Sequence, residues 1–344
     1  MRKLRILLMV HETLVPPADL TGLSEADIEE CRTEYNVMSA LENLGHHVRV
    51  IGVGDRLTEL RETIRDWRPH IAFNLLEEFS GIVSYDHYVV AYLELMRQPY
   101  TGCNPRGMMI SRDKVLTKRV LASHRIPTPR FALFPLGRRF REPRRLQFPM
   151  FVKSATADAS LGISQASVVE DMARLRERVE FIHDQTHSGA LVEEFIDGRE
   201  IYVGVLGNDR LTALPAWEMN FGTLPQVHSA IATRKVKWDG AYQRRHGIST
   251  GPARGLSPAQ LDSISRLAKR IFRALDMSGF ARMDLRMRPD GSLFVLEANA
   301  NPNLTYGEDF AESAELAGIG YDKLLTRIVS LGLAYQPEWR LFES

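Results

Sequence analysis

Two cysteines in 344 residues, Cys31 and Cys103, exclude a disulfide scaffold, and neither lies in a CxxC or Cys/His cluster of the kind that holds zinc. Charge of one sign is also missing. The 44 basic and 43 acidic residues nearly cancel, so no global field argues for nucleic acid or an anionic membrane. No apolar run approaches ~20 residues, so no membrane span is expected. The short run Ile6 to Val10 near the start is followed by no small-residue cleavage site and reads as a buried strand. There is no internal repeat, no low-complexity tract and no GxxxxGKS/T phosphate loop. What is present, 44% hydrophobic and 25% charged residues, suits a globular chain of more than one domain in a reducing cytoplasm.

The first hundred residues alternate strands with helices. Leu4 to Val10, Val48 to Val53 and Ile71 to Asn74 read as strands, and Glu25 to Leu44, Leu57 to Trp67 and Tyr88 to Met96 as helices. That order predicts an α/β parallel sheet with ligand loops at the strand carboxyl ends, here His11 to Pro17 and Leu75 to Tyr85. Further helices are predicted over Ser111 to His124, Val169 to Ile182, Pro258 to Ala274 and Tyr321 to Leu331. Strands are predicted over Phe148 to Ser154 and Ala190 to Glu194, with a hairpin around Gly207-Asn208-Asp209. Asn220 to Gly255 lacks strong periodicity and reads as a long loop, functional or disordered.

Function concentrates between Gly279 and Asn303. Two alternating runs flank Arg288-Pro289-Asp290-Gly291, the pattern of a β-hairpin. Alternation sends Ala281, Met283, Leu285 and Met287 to one face and Arg282, Asp284 and Arg286 to the other. An even loop centred on Pro289-Asp290 sets Arg282 opposite Glu297 and Asp284 opposite Val295. Phe294, Leu296 and Ala298 then join the apolar face, and Glu297 and Asn299 the polar one. A loop one residue longer reverses that pairing. Two carboxylates and an amide offer hard oxygen ligands suited to magnesium or manganese. An arginine beside them suits a phosphate or a developing oxyanion. The plain alternative is a surface ion pair on an exposed strand.

Two weaker patterns precede it. A strand ending in Lys153 runs into the small-residue loop Ser154 to Ile163, whose N–H groups could close on phosphate oxygens. Leu191 to Glu200 ends a strand in Glu193 and Glu194, then turns at Gly198 to meet Glu200, a carboxylate suited to a ribose diol. A surface turn or solvated acids would read the same way.

In this order, Lys114, the Lys153 loop, Glu193 to Glu200 and Arg282-Asp284-Glu297-Asn299 resemble the ATP-grasp superfamily, and within it the D-alanine–D-alanine ligases. The likeness extends through Leu93-Glu94-Leu95-Met96, Pro99-Tyr100-Thr101-Gly102 and Asp113-Lys114. It implies an ATP-grasp fold with three parts: a Rossmann-like N-terminal domain at 1–108, a central subdomain at 109–190 and a C-terminal one at 191–344. It implies that Lys114 and Lys153 contact ATP phosphates and that Ser160 and Gly162 lie in the flap over them. Glu193 would face the adenine side with Glu194 also in the nucleotide site, the backbone of Phe195-Ile196 would bracket the base, and Glu200 would meet the ribose. Asp284, Glu297 and Asn299 would hold two Mg²⁺ ions, and Arg282 would support the reacting centre. Lys237, or Lys235, would be the lysine of a mobile loop. The implied reaction joins a small carboxylate to an amine, amino acids being the expected class, through an acylphosphate; the family tends to form homodimers.

The substrate side departs from the family. Glu12 follows the first strand at an unfamiliar spacing, and Ala159 stands where the ligases carry a serine. Asn301-Pro302-Asn303 to Phe310, with Glu308 and Asp309, replaces Pro-Gly-Met and its serines. Glu12, Glu77 and Glu308 are therefore candidates for a substrate amine, and the substrates are expected to differ from two D-alanines. The alternatives are genuine D-alanine–D-alanine ligation and a nucleotide-binding protein without ligase activity. The cluster Arg138, Arg139, Arg141, Arg144 and Arg145 encloses one aromatic, Phe140, and no interleaved aromatic platform for stacking bases, which argues against nucleic acid.

Overall fold

A computed structural model describes residues 3–156, 162–224 and 231–342. The first sheet contains β1 (Arg5–His11), β2 (His47–Val53) and β3 (Ile71–Asn74), all parallel in the order β2-β1-β3. Ile6 to Val10 are wholly buried, as a central parallel strand covered on both faces requires. The expected α/β organisation is therefore present.

The second sheet is antiparallel: β4 (Phe131–Phe134), β5 (Met150–Ser154), β6 (Val168–Val169) and β7 (Ala190–Glu194), ordered β4-β7-β5-β6. The third contains β8 (Arg199–Leu206), β9 (Thr212–Ala213), β10 (Trp217–Asn220), β11 (Ser249–Pro252), β12 (Phe280–Met287) and β13 (Leu293–Ala300). Its path is β11-β10-β8-β12-β13, and β9 pairs with β8. The Pro258–Ala274 helix buries Ile264, Ala268, Ile271 and Phe272 as one stripe, in a core shared with Met283 and Leu285 of β12. Ser257 and Gln260 form its capping box, with Pro258 in the first turn.

Several expected elements are divided. The helix expected over Glu25 to Leu44 is two helices, Glu25–Glu30 and Arg32–Asn43, parted at Cys31 (φ −105°, ψ 16°). The helix expected from Ser111 is also two, Pro105–Arg112 and Lys114–Ser123. Asp113 is the reason: its carboxylate accepts from Val115 N and Leu116 N at 2.9 Å and starts a new helix at Lys114. The Asn220 to Gly255 stretch contains the helices Arg234–Trp238 and Gly240–His246 as well as β11. A helix over Asp309–Leu316 follows a segment read only as a substrate loop.

The hairpin register differs from the one expected. Near the turn Met287 pairs with Leu293, Arg286 with Phe294 and Leu285 with Val295, so the loop is the longer, odd one. Asp284 then pairs with Glu297 and Arg282 with Asn299, because the ladder shifts between Asp284 and Leu285. Leu296 is the extra residue, a β-bulge that restores the polar face after the turn has displaced it. Val295, Ala298 and Ala300, rather than Phe294 and Leu296, join Ala281, Met283, Leu285 and Met287 in the core.

Candidate active site

The polar face of β12 and β13 forms one wall of a cavity of about 300 Å³. Lys114, Lys153, Glu193, Glu194, Phe195, Ile196, Glu200, Lys237, Arg282, Asp284, Glu297 and Asn299 all line it, as does Glu77. Segments scattered over more than 200 residues of sequence thus meet in one place. Each element contributes by its own geometry. Helix Lys114–Ser123 presents Lys114 from its first turn, β5 presents Lys153, and β7 presents Glu193 next to it.

Charges on the hairpin face are paired. Arg282 Nε and Nη2 donate to the two oxygens of Asp284 at 2.8 and 3.0 Å. Lys114 Nζ lies 2.8 Å from Glu297 Oε1. Burial alone would raise the Glu297 carboxyl, but the ammonium groups of Lys114, Lys153 and Lys237 hold it down at about 2. Burial opposes the Arg282 charge as well; Asp284 outweighs it and keeps the guanidinium protonated. Asp284, Glu297 and Asn299 supply hard oxygen donors from paired positions on adjacent strands, and Asn299 Nδ2 is buried without a hydrogen-bond partner among the described residues. That donor set fits a divalent cation of the magnesium type.

Lys118 belongs to the site and was not anticipated. It is 2% exposed, and its Nζ is ion-paired to Glu193 Oε1, while Lys153 Nζ lies 3.0 Å from Glu193 Oε2. Burial would raise the Glu193 carboxyl; Lys118 and Lys153 keep it below its usual range. The Lys114–Lys118 spacing of one helical turn was the available signal. Arg286, 3% exposed, also lines the cavity and bonds Glu200 Oε2 at 2.7 Å.

Glu12, Glu308 and Gly162 are placed apart from the cavity lining. Glu12 packs its carboxylate over Gly54, where any Cβ would fall 2.1 Å from Glu12 Oε2. Glu308 precedes helix Asp309–Leu316, 3.8 Å from Arg32, and burial with Asp309 nearby raises its carboxyl. Gly162 (φ +72°) is bonded through its carbonyl to Arg178, and its neighbour Ile163 reaches the cavity. Ser160 and Ala159 lie outside the described residues. Lys237 lines the cavity whereas Lys235 is exposed, which distinguishes the two loop lysines. Asn301 and Asn303 line the cavity beyond the hairpin. Asn301 accepts from Cys103 N at 2.7 Å, and Asn303 accepts from Thr33 Oγ1 at 3.3 Å. No helix among the described residues is long and apolar enough to cross a membrane.

The family described as D-ala D-ala ligase C-terminus matches residues 120–330. The uncharacterized protein y4sG of Sinorhizobium fredii (strain NBRC 101917 / NGR234) is 32% identical over 309 residues, 87% of either chain. The D-alanine–D-alanine ligase of Desulforudis audaxviator (strain MP104C) is 30% identical over 314 residues, 90% of this chain and 95% of that one. Among solved structures, D-alanine–D-alanine ligase from Bacillus anthracis complexed with ATP superimposes over 100% of both chains with a TM-score of 0.74 at 22% identity, a likeness of fold. By its matched segment and by its relatives along nearly their whole length, the chain belongs to the D-alanine–D-alanine ligase family of ATP-grasp enzymes, ligases that form carbon–nitrogen bonds.

Proposed function

We propose that this protein is an ATP-dependent carboxylate–amine ligase that forms an amide bond through an acylphosphate, with amino-acid substrates other than two D-alanines. One observation carries the reading. The paired face Arg282-Asp284-Glu297-Asn299 and the lysines Lys114, Lys153 and Lys237 share one cavity of nucleotide scale.

Lys114 and Lys153 would meet phosphate oxygens, and Phe195 and Ile196 would flank a base. A substrate carboxylate attacks the γ-phosphorus, and ADP leaves. The amine then attacks the acyl carbon, phosphate departs and the amine gives up a proton. Arg282 supports the oxyanion formed at that carbon. Asp284, Glu297 and Asn299 would hold Mg²⁺, two ions by the family pattern or Mn²⁺ in its place, which neutralises crowded phosphoryl and carboxylate oxygens when bound. Lys237 closes the cavity against water that would hydrolyse the acylphosphate.

The substrate preference rests on Asn301 to Phe310. There the sequence departs from the family, with Asn301 and Asn303 lining the cavity where the ligases carry Pro-Gly-Met and its serines. Genuine D-alanine–D-alanine ligation is the second reading, favoured by relatives of that name along nearly the whole chain. Phosphate release from Mg-ATP against a panel of amino acids and small amines, with products weighed by mass spectrometry, separates the two. A product from D-alanine alone would overturn the first. No stimulation by any carboxylate would overturn both.

A further inference from the structure

The cavity wall carries an acid and a base that the reaction above leaves unused, Glu77 and Arg112. They are neighbours: Arg112 Nη2 lies 3.5 Å from the Glu77 carbonyl oxygen. Arg112 closes helix Pro105–Arg112, and its fork rests on Asp86, the first residue of helix Asp86–Leu95. Nε and Nη2 donate to Asp86 Oδ2 at 2.8 and 2.5 Å. The Asp86 side chain is 0% exposed and the Arg112 side chain 20%, so the acid lies inside and the guanidinium reaches the cavity. A buried pair of this kind adds little stability over a well-packed apolar one, and what it does here is fix the direction of a cation at the wall.

Asn303 adds a neutral donor. Its Oδ1 accepts from Thr305 N at 2.7 Å and from Thr305 Oγ1 at 2.6 Å. A backbone N–H only donates, so the oxygen corner of the amide is fixed on that side. Thr305 is not part of the lining and Asn303 is, which leaves Nδ2 as the corner for the cavity.

An acid beside a guanidinium repels a lone anion and a lone cation alike. It fits a molecule that carries both charges, as an α-amino acid does. An amino acid held in this way is not the attacking amine, because an ammonium paired to Glu77 has no lone pair to attack with. As the acyl donor, it keeps one carboxylate on Arg112 and needs a second to be activated.

We propose that Glu77 and Arg112 hold the α-ammonium and α-carboxylate of an acidic amino acid, and that the carboxylate activated is the one on its side chain. This rests on the ligase reading above. A side-chain carboxylate oxygen attacks the γ-phosphorus, and the bond to ADP breaks. The amine nitrogen attacks the side-chain acyl carbon, phosphate leaves with its electron pair, and the nitrogen gives up a proton. The product is an amide whose α-carboxylate stays free.

The test incubates the full chain with Mg-ATP and hydroxylamine, which traps the acylphosphate as a hydroxamate whatever the natural amine. The probes are both enantiomers of aspartate, glutamate and alanine, and fragmentation in the mass spectrometer locates the hydroxamate. The side-chain carboxyl of aspartate or glutamate is expected to carry it, with kcat/KM ~10-fold or more above alanine, the scale of one charge-assisted contact. Arg112→Lys keeps a cation for Asp86 but loses the fork. It should raise KM for that acid ~10-fold, with kcat within about threefold and KM for ATP unchanged. Glu77→Gln should raise the same KM. A wild-type KM for the acid in both variants overturns the proposal. So does a hydroxamate on the α-carboxyl, or alanine used as well as the acidic amino acids; each of these leaves the ligase reading standing. No hydroxamate from any acid overturns the proposal together with the ligase reading.

Discussion

Asp284 and Glu297 are direct cross-strand partners, yet each carboxylate is met by its own cation: Arg282 for Asp284 at 2.8 Å and Lys114 for Glu297 at 2.8 Å. Two acids that close would otherwise repel. The cations come from different places, Arg282 from the same strand and Lys114 from a helix that Asp113 initiates. The site's charge balance therefore depends on the packing of that helix against the hairpin.

Glu297→Gln removes one oxygen donor and the anionic partner of Lys114. Ligation is expected to fall by ~10²-fold or more, the scale of losing one pre-organised charged contact. Circular dichroism should show an unchanged fold. Wild-type turnover would sink the assignment of this face to catalysis.

The two loop lysines should behave differently. Lys237 lines the cavity and acts on Glu297; Lys235 is exposed. Lys237→Ala is expected to reduce kcat at least ~10-fold, and Lys235→Ala to leave it near wild type. Steady-state phosphate release reads both, and equal effects would remove Lys237 from the reacting centre.

Lys118 reaches the site through its ion pair with Glu193. Lys118→Met leaves Glu193 with Lys153 as its remaining ion-pair partner among these lysines and should cost about 3 kcal/mol of stability in urea. It should also raise KM for ATP more than it lowers kcat, since Lys153, left to balance Glu193 by itself, is less free to meet a phosphate. Combining it with Glu193→Gln should recover part of the loss, a coupling of about 1 kcal/mol or more in a double-mutant cycle. Strict additivity would show that the two side chains act separately.

Asp113 caps the helix that carries both Lys114 and Lys118. Asp113→Ala should destabilise the protein by about 1 kcal/mol, measured as a lower urea midpoint at constant m. Asp113→Asn, which still accepts from Val115 N and Leu116 N, should recover most of it.

Burial, with the Glu77 charge adding to it, pushes the Glu34 carboxyl from its ordinary 4.5 up to about 7. The folded state keeps a proton that the unfolded state releases near 4.5, so stability from this group is full below that pH and lost as pH rises through about 7. Glu34→Gln should match the wild type at acid pH and exceed it at alkaline pH by at most about 3 kcal/mol. Urea titrations across the range check this. A gain confined to the acid side would contradict the burial of Glu34.

How much of this was legible beforehand varies by element. The Ile71–Asn74 and Ala190–Glu194 strands and the Pro258–Ala274 helix have the bounds that pattern suggested, because apolar periodicity and caps agree there. The breaks at Cys31 and Asp113 were hidden inside continuous helical periodicity. The polar face of the hairpin was readable, but its register was not. Alternation fixes faces, and a bulge at a residue as ordinary as Leu296 leaves no mark in composition. Lys118 and Arg286 were visible only as charges, because their significance lies in buried partners from other strands.

The bulge has a consequence for how this hairpin tolerates length changes. The turn puts in one residue too many and Leu296 cancels it, so the two irregularities act as an error and its correction. Were Leu296 taken into the ladder, it would pair with Asp284 and turn Glu297 toward Met283 and the core. Deleting it would instead set Glu297 directly after Val295 and leave the Asp284–Glu297 pair in place. The hairpin can therefore lose this residue but cannot absorb it into the pairing, and the face carrying Asp284 and Glu297 is guarded by where Leu296 sits rather than by any single contact.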